Sequence, residues 1–257
     1  MKTLLKNPPE FKLGSVWIAG AGPGDPGLLS LLALYGIQSA DVIVYDALVS
    51  EDILNFADTS VILEFAGKRG GRPSPKQRDI TDRLVELAKQ GKRVLRLKGG
   101  DPFMFGRGTE ECMRLVSEQI PYRIIPGISS GVGGLAYAGI PMTTRGTNSA
   151  VTFVTGHNAS GVVPDDIDWK ALSDGSPALI FFMGMSHIDR IVEKLKASGR
   201  PSSEPVAVIY KATMKDQIVV ITTLDNCSKD IVSAGLRPPA LIVIGEIVNF
   251  RNKLDWF

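Results

Sequence analysis

The chain has 257 residues, 44% of them hydrophobic, enough to bury one large core or two of ordinary size. Its 29 Lys and Arg stand against 27 Asp and Glu, and a net charge of +2 supplies no basic field of the kind that nucleic-acid binding needs. The two cysteines, Cys112 and Cys227, lack metal-ligand spacing and point to a reducing compartment without disulfides or zinc.

The opening MKTLLKNPPEFKL has no continuous apolar stretch after its first lysine, so residues 1–13 read as a flexible leader and not as a signal peptide. No apolar run reaches the ~18 residues of a membrane span, and a soluble, cytoplasmic protein is expected. The strand-like VWIAG at 16 then runs into GAGPGDPG at 20–27 and the helix-like LLSLLALYGI. Gly22, Gly24 and Gly27 satisfy G-x-G-x-x-G, and Asp46 closes the next strand, VIVYD, which together make the dinucleotide fingerprint by pattern. Pro23 and Pro26 have no N–H, however, and Asp25 places a negative charge where a diphosphate needs amide donors and a positive field. The turn therefore suits a nucleotide-like ligand without a diphosphate.

VILEF at 61 is the third strand, and Lys68, Arg69 and Arg72 follow it. Residues 75–92 place Ile80, Leu84, Leu87 and Ala88 on one face, with Pro75 near the start and Gly91 after the end, and predict an amphipathic helix. RVLRLK at 93 and YRIIPG at 122 complete an alternation that predicts parallel strands joined by helices, an N-terminal α/β domain over 14–146. A C-terminal α/β domain over 147–257 comes next, with strands in SAVTFVTGH, PALIFFMG and PVAVIYKA. QIVVITTL is close enough to pair with PVAVIYKA as a hairpin, PALIVIGEIV at 239–248 is the last strand, and 158–169 is a loop.

Ligands of open α/β sheets bind beyond the carboxyl ends of the strands, where this chain carries four unusual loops. In GGDPFMFGRG, Gly99 and Gly100 let a ligand approach the main chain, while Asp101 either accepts hydrogen bonds from it or caps the turn before Pro102. Phe103, Met104 and Phe105 form an apolar wall. Arg107 and Glu110 share a helix face, either as a surface pair or turned into a cleft. Arg145, like Lys68, is a surface charge taken alone; together such residues could serve several carboxylates. His157 and His187 read as loop residues, and the absence of a Walker lysine loop or H-E-x-x-H leaves kinase and zinc-hydrolase readings without a basis.

Taken in order, GAGPGDPGLLS, VIVYDALVS, AGKR, RLKGGDPFMFGRG, IPGISS, AYAGIP and FVTGH make the chain similar to the tetrapyrrole methylase family from Gly14 to about Val248. The resemblance implies two α/β domains, the first built on a mostly parallel sheet and the second on a mixed one, with the cofactor in the cleft between them. It implies S-adenosylmethionine as methyl donor, no metal, uroporphyrinogen III as substrate, two C-methylations at C2 and C7 giving precorrin-2, and a homodimer. The same resemblance marks Pro23, Gly99, Gly100, Asp101, Met104, Ser129, Ser130, Met183 and Ala212 as cofactor contacts. It marks Asp46 as proton acceptor, Lys68 as proton donor, and Arg107, Glu110 and Arg145 as residues facing the tetrapyrrole. Thr144 departs from the family pattern, which has His there, and Ala212 stands where relatives often carry Gly. S-adenosylmethionine carries no phosphate, so the prolines and Asp25 of the first turn are no obstacle to it.

Overall fold

The computed structural model describes residues 5–67, 77–158 and 160–257, which fall into two compact units, Met1–Ser129 and Ser130–Phe257. Lys68 and Arg69 lie outside the described residues. The division falls earlier than position 146, because the helix that begins at Ser130 packs through Leu135 on the strands of the second sheet.

In the first unit the elements run β1 (Val16–Gly20), α1 (Leu31–Ser39), β2 (Val42–Tyr45), α2 (Glu51–Leu54), β3 (Ile62–Phe65), α3 (Gln77–Lys89), β4 (Val94–Lys98), α4 (Gly108–Ser117) and β5 (Tyr122–Ile125). The five strands form one sheet in the order β3-β2-β4-β1-β5, parallel at every pairing. Alternation of side chains sorts its two faces. Trp17, Ala19, Ile43, Leu95 and Leu97 pack with Ala33 and Ile37 of α1. Val16, Ile18, Val42, Val44 and Val94 pack with Leu84, Leu87 and Ala88 of α3 and Leu115 of α4. The amphipathic helix expected at 75–92 is thus α3, with its apolar stripe on the sheet. Phe11, within the segment read as leader, is buried and stacks on Trp17 at 4.2 Å between ring centres.

The second unit continues with α5 (Ser130–Tyr137), β6 (Thr152–Thr155), α6 (Trp169–Gly175), β7 (Leu179–Phe182), α7 (Ile188–Ala197), β8 (Pro205–Tyr210), β9 (Ile218–Thr223), α8 (Cys227–Ser233), β10 (Ala240–Ile244) and α9 (Arg251–Leu254). Its sheet runs β6-β7-β10-β8-β9; β6 and β7 are parallel, and β10 is antiparallel to both β7 and β8. The hairpin between β8 and β9 forms as the sequence spacing implies. Leu179, Phe181, Val206, Val208, Ile242 and Ile244 face a core shared with α7 and α8. Ile180, Ala207, Ile209, Leu241 and Val243 face a second core with Leu135 of α5. The last strand stops at Ile244, because Gly245 at φ +131° turns the chain into the 310 turn Glu246–Phe250.

Candidate active site

In the first unit the loops after β1, β2, β4 and β5 meet at the carboxyl edge of the parallel sheet. Gly22 and Gly100 exchange two main-chain hydrogen bonds, at 2.7 and 3.2 Å, which lock the β1 loop to the β4 loop. Gly20, Gly100 and Gly127 touch through bare backbone. A Cβ on Gly20 would lie 2.6 Å from Gly127 Cα, one on Gly127 would lie 2.7 Å from Gly20 Cα, and both would strike Gly100 O. Gly100 sits at φ +65°, a conformation that favours glycine, and a Cβ there would meet only the backbone of Ser129, at 3.9 Å, so the loop presents bare main chain at the sheet edge.

Asp46 follows β2 and is half-buried. Its Oδ1 accepts the amides of Leu48 and Gly99, both at 3.2 Å. Gly99 permits that approach, since a Cβ there would lie 2.5 Å from Leu48 Cβ. Ser50 Oγ donates to Gly24 O at 3.1 Å and ties the β2 loop to the β1 loop. Asp25 Oδ1 accepts the Gly27 amide at 2.7 Å, so this carboxylate caps its own turn and further occupies the place a diphosphate would need. Asp101 caps the turn at Pro102 and ties two loops: Oδ1 takes Phe103 N–H at 2.8 Å and Oδ2 takes Gly127 N–H at 3.0 Å, one amide on each oxygen. Asp46, Gly99, Gly100 and Asp101 are therefore one assembly. Pro23 lies in its β1 loop, Met104 in the β4 loop and Ser129 at the end of the β5 loop. Met104 is half-buried between the exposed Phe103 and Phe105.

Arg107 and Glu110 face each other. Arg107 Nε and Nη2 donate to the two Glu110 oxygens at 2.8 and 2.7 Å, and both side chains are 55% exposed. The Glu110 partner pushes the Arg107 guanidinium above its ordinary value, so Arg107 stays charged and is no proton acceptor. The pair borders a hollow with Arg78, Thr81 and Asp82 of α3 and Arg114 of α4.

In the second unit β6, β7 and β8 end at the same sheet edge, as the pairing directions require. Met183, at φ +54°, follows β7, and Ala212, between Lys211 and Thr213 at φ +49° and +68°, follows β8. Three non-glycine residues in the left-handed region mark these loops as strained. The start of α5 packs there: a Cβ on Gly131 would lie 2.7 Å from the Phe153 and Phe182 rings, and one on Gly134 2.8 Å from Ala212 Cβ. Ser130, Met183 and Ala212 thus gather at one edge. Arg145 is exposed, in the turn closed by Thr144 N–H to Asn148 Oδ1 at 2.9 Å. His157 and His187 come within 6.0 Å of each other between ring centres.

Sequence reasoning missed a buried charged cluster beneath Asp46. Arg96 and Lys98 are 2% and 4% exposed, and Glu111 of α4 is fully buried. The available signal was the R-L-K alternation of β4: in a strand with neighbours on both sides, charges two apart point to one buried face and require a counter-charge there.

Residues 15–227 match the model of the tetrapyrrole (corrin/porphyrin) methylases. The chain is 58% identical over 248 residues to a uroporphyrinogen-III C-methyltransferase of Sinorhizobium sp, covering 96% of this chain and 89% of that one. It is 46% identical over 247 residues to the Bacillus subtilis protein of the same name, covering 95% of each. A Thermus thermophilus uroporphyrin-III C-methyl transferase, solved in complex with S-adenyl homocysteine, superposes with a TM-score of 0.77 at 34% identity, over 91% of this chain and 99% of that one. With the family model spanning both units and the glycine-built loops in place at the sheet edge, the chain belongs to the tetrapyrrole methylases.

Proposed function

We propose that this chain is an S-adenosylmethionine-dependent C-methyltransferase that methylates uroporphyrinogen III twice, at C2 and C7, to give precorrin-2 for sirohaem- or cobalamin-type synthesis. The observation that carries it is the near-complete coverage of two relatives that bear one name, at 58% and 46% identity. The solved relative with S-adenyl homocysteine supports the donor, and the residues fit it: Gly99 and Gly100 present main chain without side chains, and the β1 turn disfavours a diphosphate.

Pro23, Gly99, Gly100, Asp101, Met104 and Ser129 of the first unit, with Ser130, Met183 and Ala212 of the second, are the proposed cofactor contacts. The bound donor supplies a sulfonium methyl group to a nucleophilic ring carbon. Most of the acceleration then comes from holding the reactants in line. A proton must leave the methylated ring, and Asp46 is the proposed acceptor: the Leu48 and Gly99 amides fix Oδ1, which orients the carboxylate. Arg107 and Arg145 offer forked donors to substrate carboxylates, with Glu110 holding Arg107 until they arrive. Lys68 is the proposed proton donor and lies outside the described residues.

Incubation with uroporphyrinogen III and S-adenosylmethionine without oxygen, read by product mass, tests the reading. A gain of two methyl groups is expected; no gain from folded enzyme with intact donor overturns it. The reading includes a homodimer in the cytoplasm, and a single-chain mass by light scattering at micromolar concentration would remove the dimer.

A further inference from the structure

Beneath the sheet edge, four charged groups share one small volume of the first unit. Glu111 Oε1 accepts from Arg96 Nε at 3.0 Å and from Lys98 Nζ at 3.1 Å. Arg96 Nη1 also donates to the carbonyls of Val44 at 3.2 Å and Leu97 at 3.3 Å. The remaining Nη2 faces Asp46 Oδ2 at 3.7 Å. Two cations and two carboxylates balance, and three of the four have almost no solvent.

Such a cluster is a poor way to stabilise a fold. Each buried ion loses its hydration, and an apolar trio of the same volume commonly does as well or better. The two cations also repel one another. Burial and the neighbouring Arg96 push the Lys98 ammonium below its ordinary value, with Glu111 and Asp46 opposing that. What the arrangement does supply is direction. The guanidinium is held at Nε by Glu111 of α4 and at Nη1 by carbonyls of β2 and β4, and its Nη2 is aimed at Asp46.

We propose that Glu111 is a positioning residue for methyl transfer: it holds Arg96, and with Lys98 balances the charge, so that Asp46 keeps the orientation in which it takes the proton. The inference rests on the assignment of Asp46 as proton acceptor. Without the Glu111 charge, the buried Arg96 has Asp46, at 3.7 Å, as its remaining carboxylate partner, and Asp46 is drawn from the ring toward it. The groups around Lys98 that share its field are Arg96 on β4, Asp46 after β2, and Glu110, Glu111 and Cys112 on α4.

The test is a double-mutant cycle on the full chain, with steady-state methyl transfer to uroporphyrinogen III and calorimetric binding of S-adenosylhomocysteine. Glu111→Gln should lower kcat by roughly tenfold to a hundredfold, with KM and S-adenosylhomocysteine affinity within about threefold of the parent. In an Asp46→Asn background the same change should cost less than about twofold, because the group it positions is gone. Glu111→Asp keeps the charge but withdraws it from Arg96; it should lose about fivefold in the parent and nothing in Asp46→Asn, and it carries the test if Glu111→Gln does not fold. Losses that multiply across the two backgrounds, or parental kcat in both variants, overturn the role of Glu111 while leaving Asp46 in place. Full turnover by Asp46→Asn instead removes Asp46 as acceptor, and Glu111 then has nothing to position.

Discussion

Both carboxylate oxygens of Asp101 are taken by amides, those of Phe103 and Gly127, so this side chain joins the β4 loop to the β5 loop. Asp101→Ala should therefore lower the stability of the fold by about 1–2 kcal/mol, less than a fully buried charged bond because the site is half-exposed. Urea unfolding measures this, and an unchanged midpoint would show the tie to be dispensable. Since the loops it joins form the glycine cradle, S-adenosylhomocysteine affinity should fall about tenfold in parallel, which calorimetry checks. Arg107→Ala and Arg145→Ala should each raise KM for uroporphyrinogen III by roughly tenfold with cofactor affinity unchanged. Equal loss of cofactor affinity would move them to the donor side. The loop residues were legible as individual letters, because glycines, prolines and turn carboxylates carry local rules. Arg96, Lys98 and Glu111 were not, because a buried ion pair between a strand and a later helix leaves no local trace beyond two charges at strand spacing.

Among the elements, α5 was the hardest to anticipate. SGVGGLAY carries three glycines, each costing about 1 kcal/mol relative to Ala in a helix interior, and no propensity argument favours it. Two of those glycines let the helix lie against Phe153, Phe182 and Ala212, so tertiary contact overrides the local preference. Gly134→Ala should cost roughly 1–3 kcal/mol by overpacking. Gly175, at the end of α6, has nothing within 4 Å of its Cβ position. Gly175→Ala should accordingly stabilise by about 0.4–1 kcal/mol, and thermal unfolding of the pair separates packing from propensity. At the amino ends of β2 and β4, Arg93 bonds Asp41 at 2.7 Å and holds its carboxyl below the ordinary value of 3.8. Because the folded value is depressed, this stabilisation is complete above the unfolded value and is lost as pH falls through the folded one. Asp41→Asn should thus flatten the acid limb of stability below about pH 4, measured by urea titration across pH. Strands were the easiest elements to foresee, since each short apolar run holds one, although the last ends at Ile244 and not at 248.

For the molecule as a whole, the parallel first sheet and mixed second sheet come from one reading of connections. Long helical crossovers force parallel pairs, and the short link between PVAVIYKA and QIVVITTL forces a hairpin. The division at Ser129 was not legible, because the glycines that follow it lie inside α5 and that helix joins the second unit through its packing. Ligand linkage gives a test at this scale. S-adenosylhomocysteine at about a hundred times its Kd should raise the unfolding free energy by roughly 2.7 kcal/mol, and a nicotinamide dinucleotide should give no shift. A thermal shift with the dinucleotide would revive the fingerprint that Pro23, Asp25 and Pro26 argue against.

The contact among Gly20, Gly100 and Gly127 has a genetic consequence. An overpacked core can often be rescued by shrinking a neighbour, but none of these three can shrink further. No change at either of the other two positions can compensate a side chain at Gly20 or Gly127, so the three codons allow no suppressor among themselves. In a saturation library scored by activity, those two rows should empty as completely as that of a reacting residue. Paired scoring for folded protein would separate them, with Gly20 and Gly127 variants lost from both screens and Asp46 variants from one.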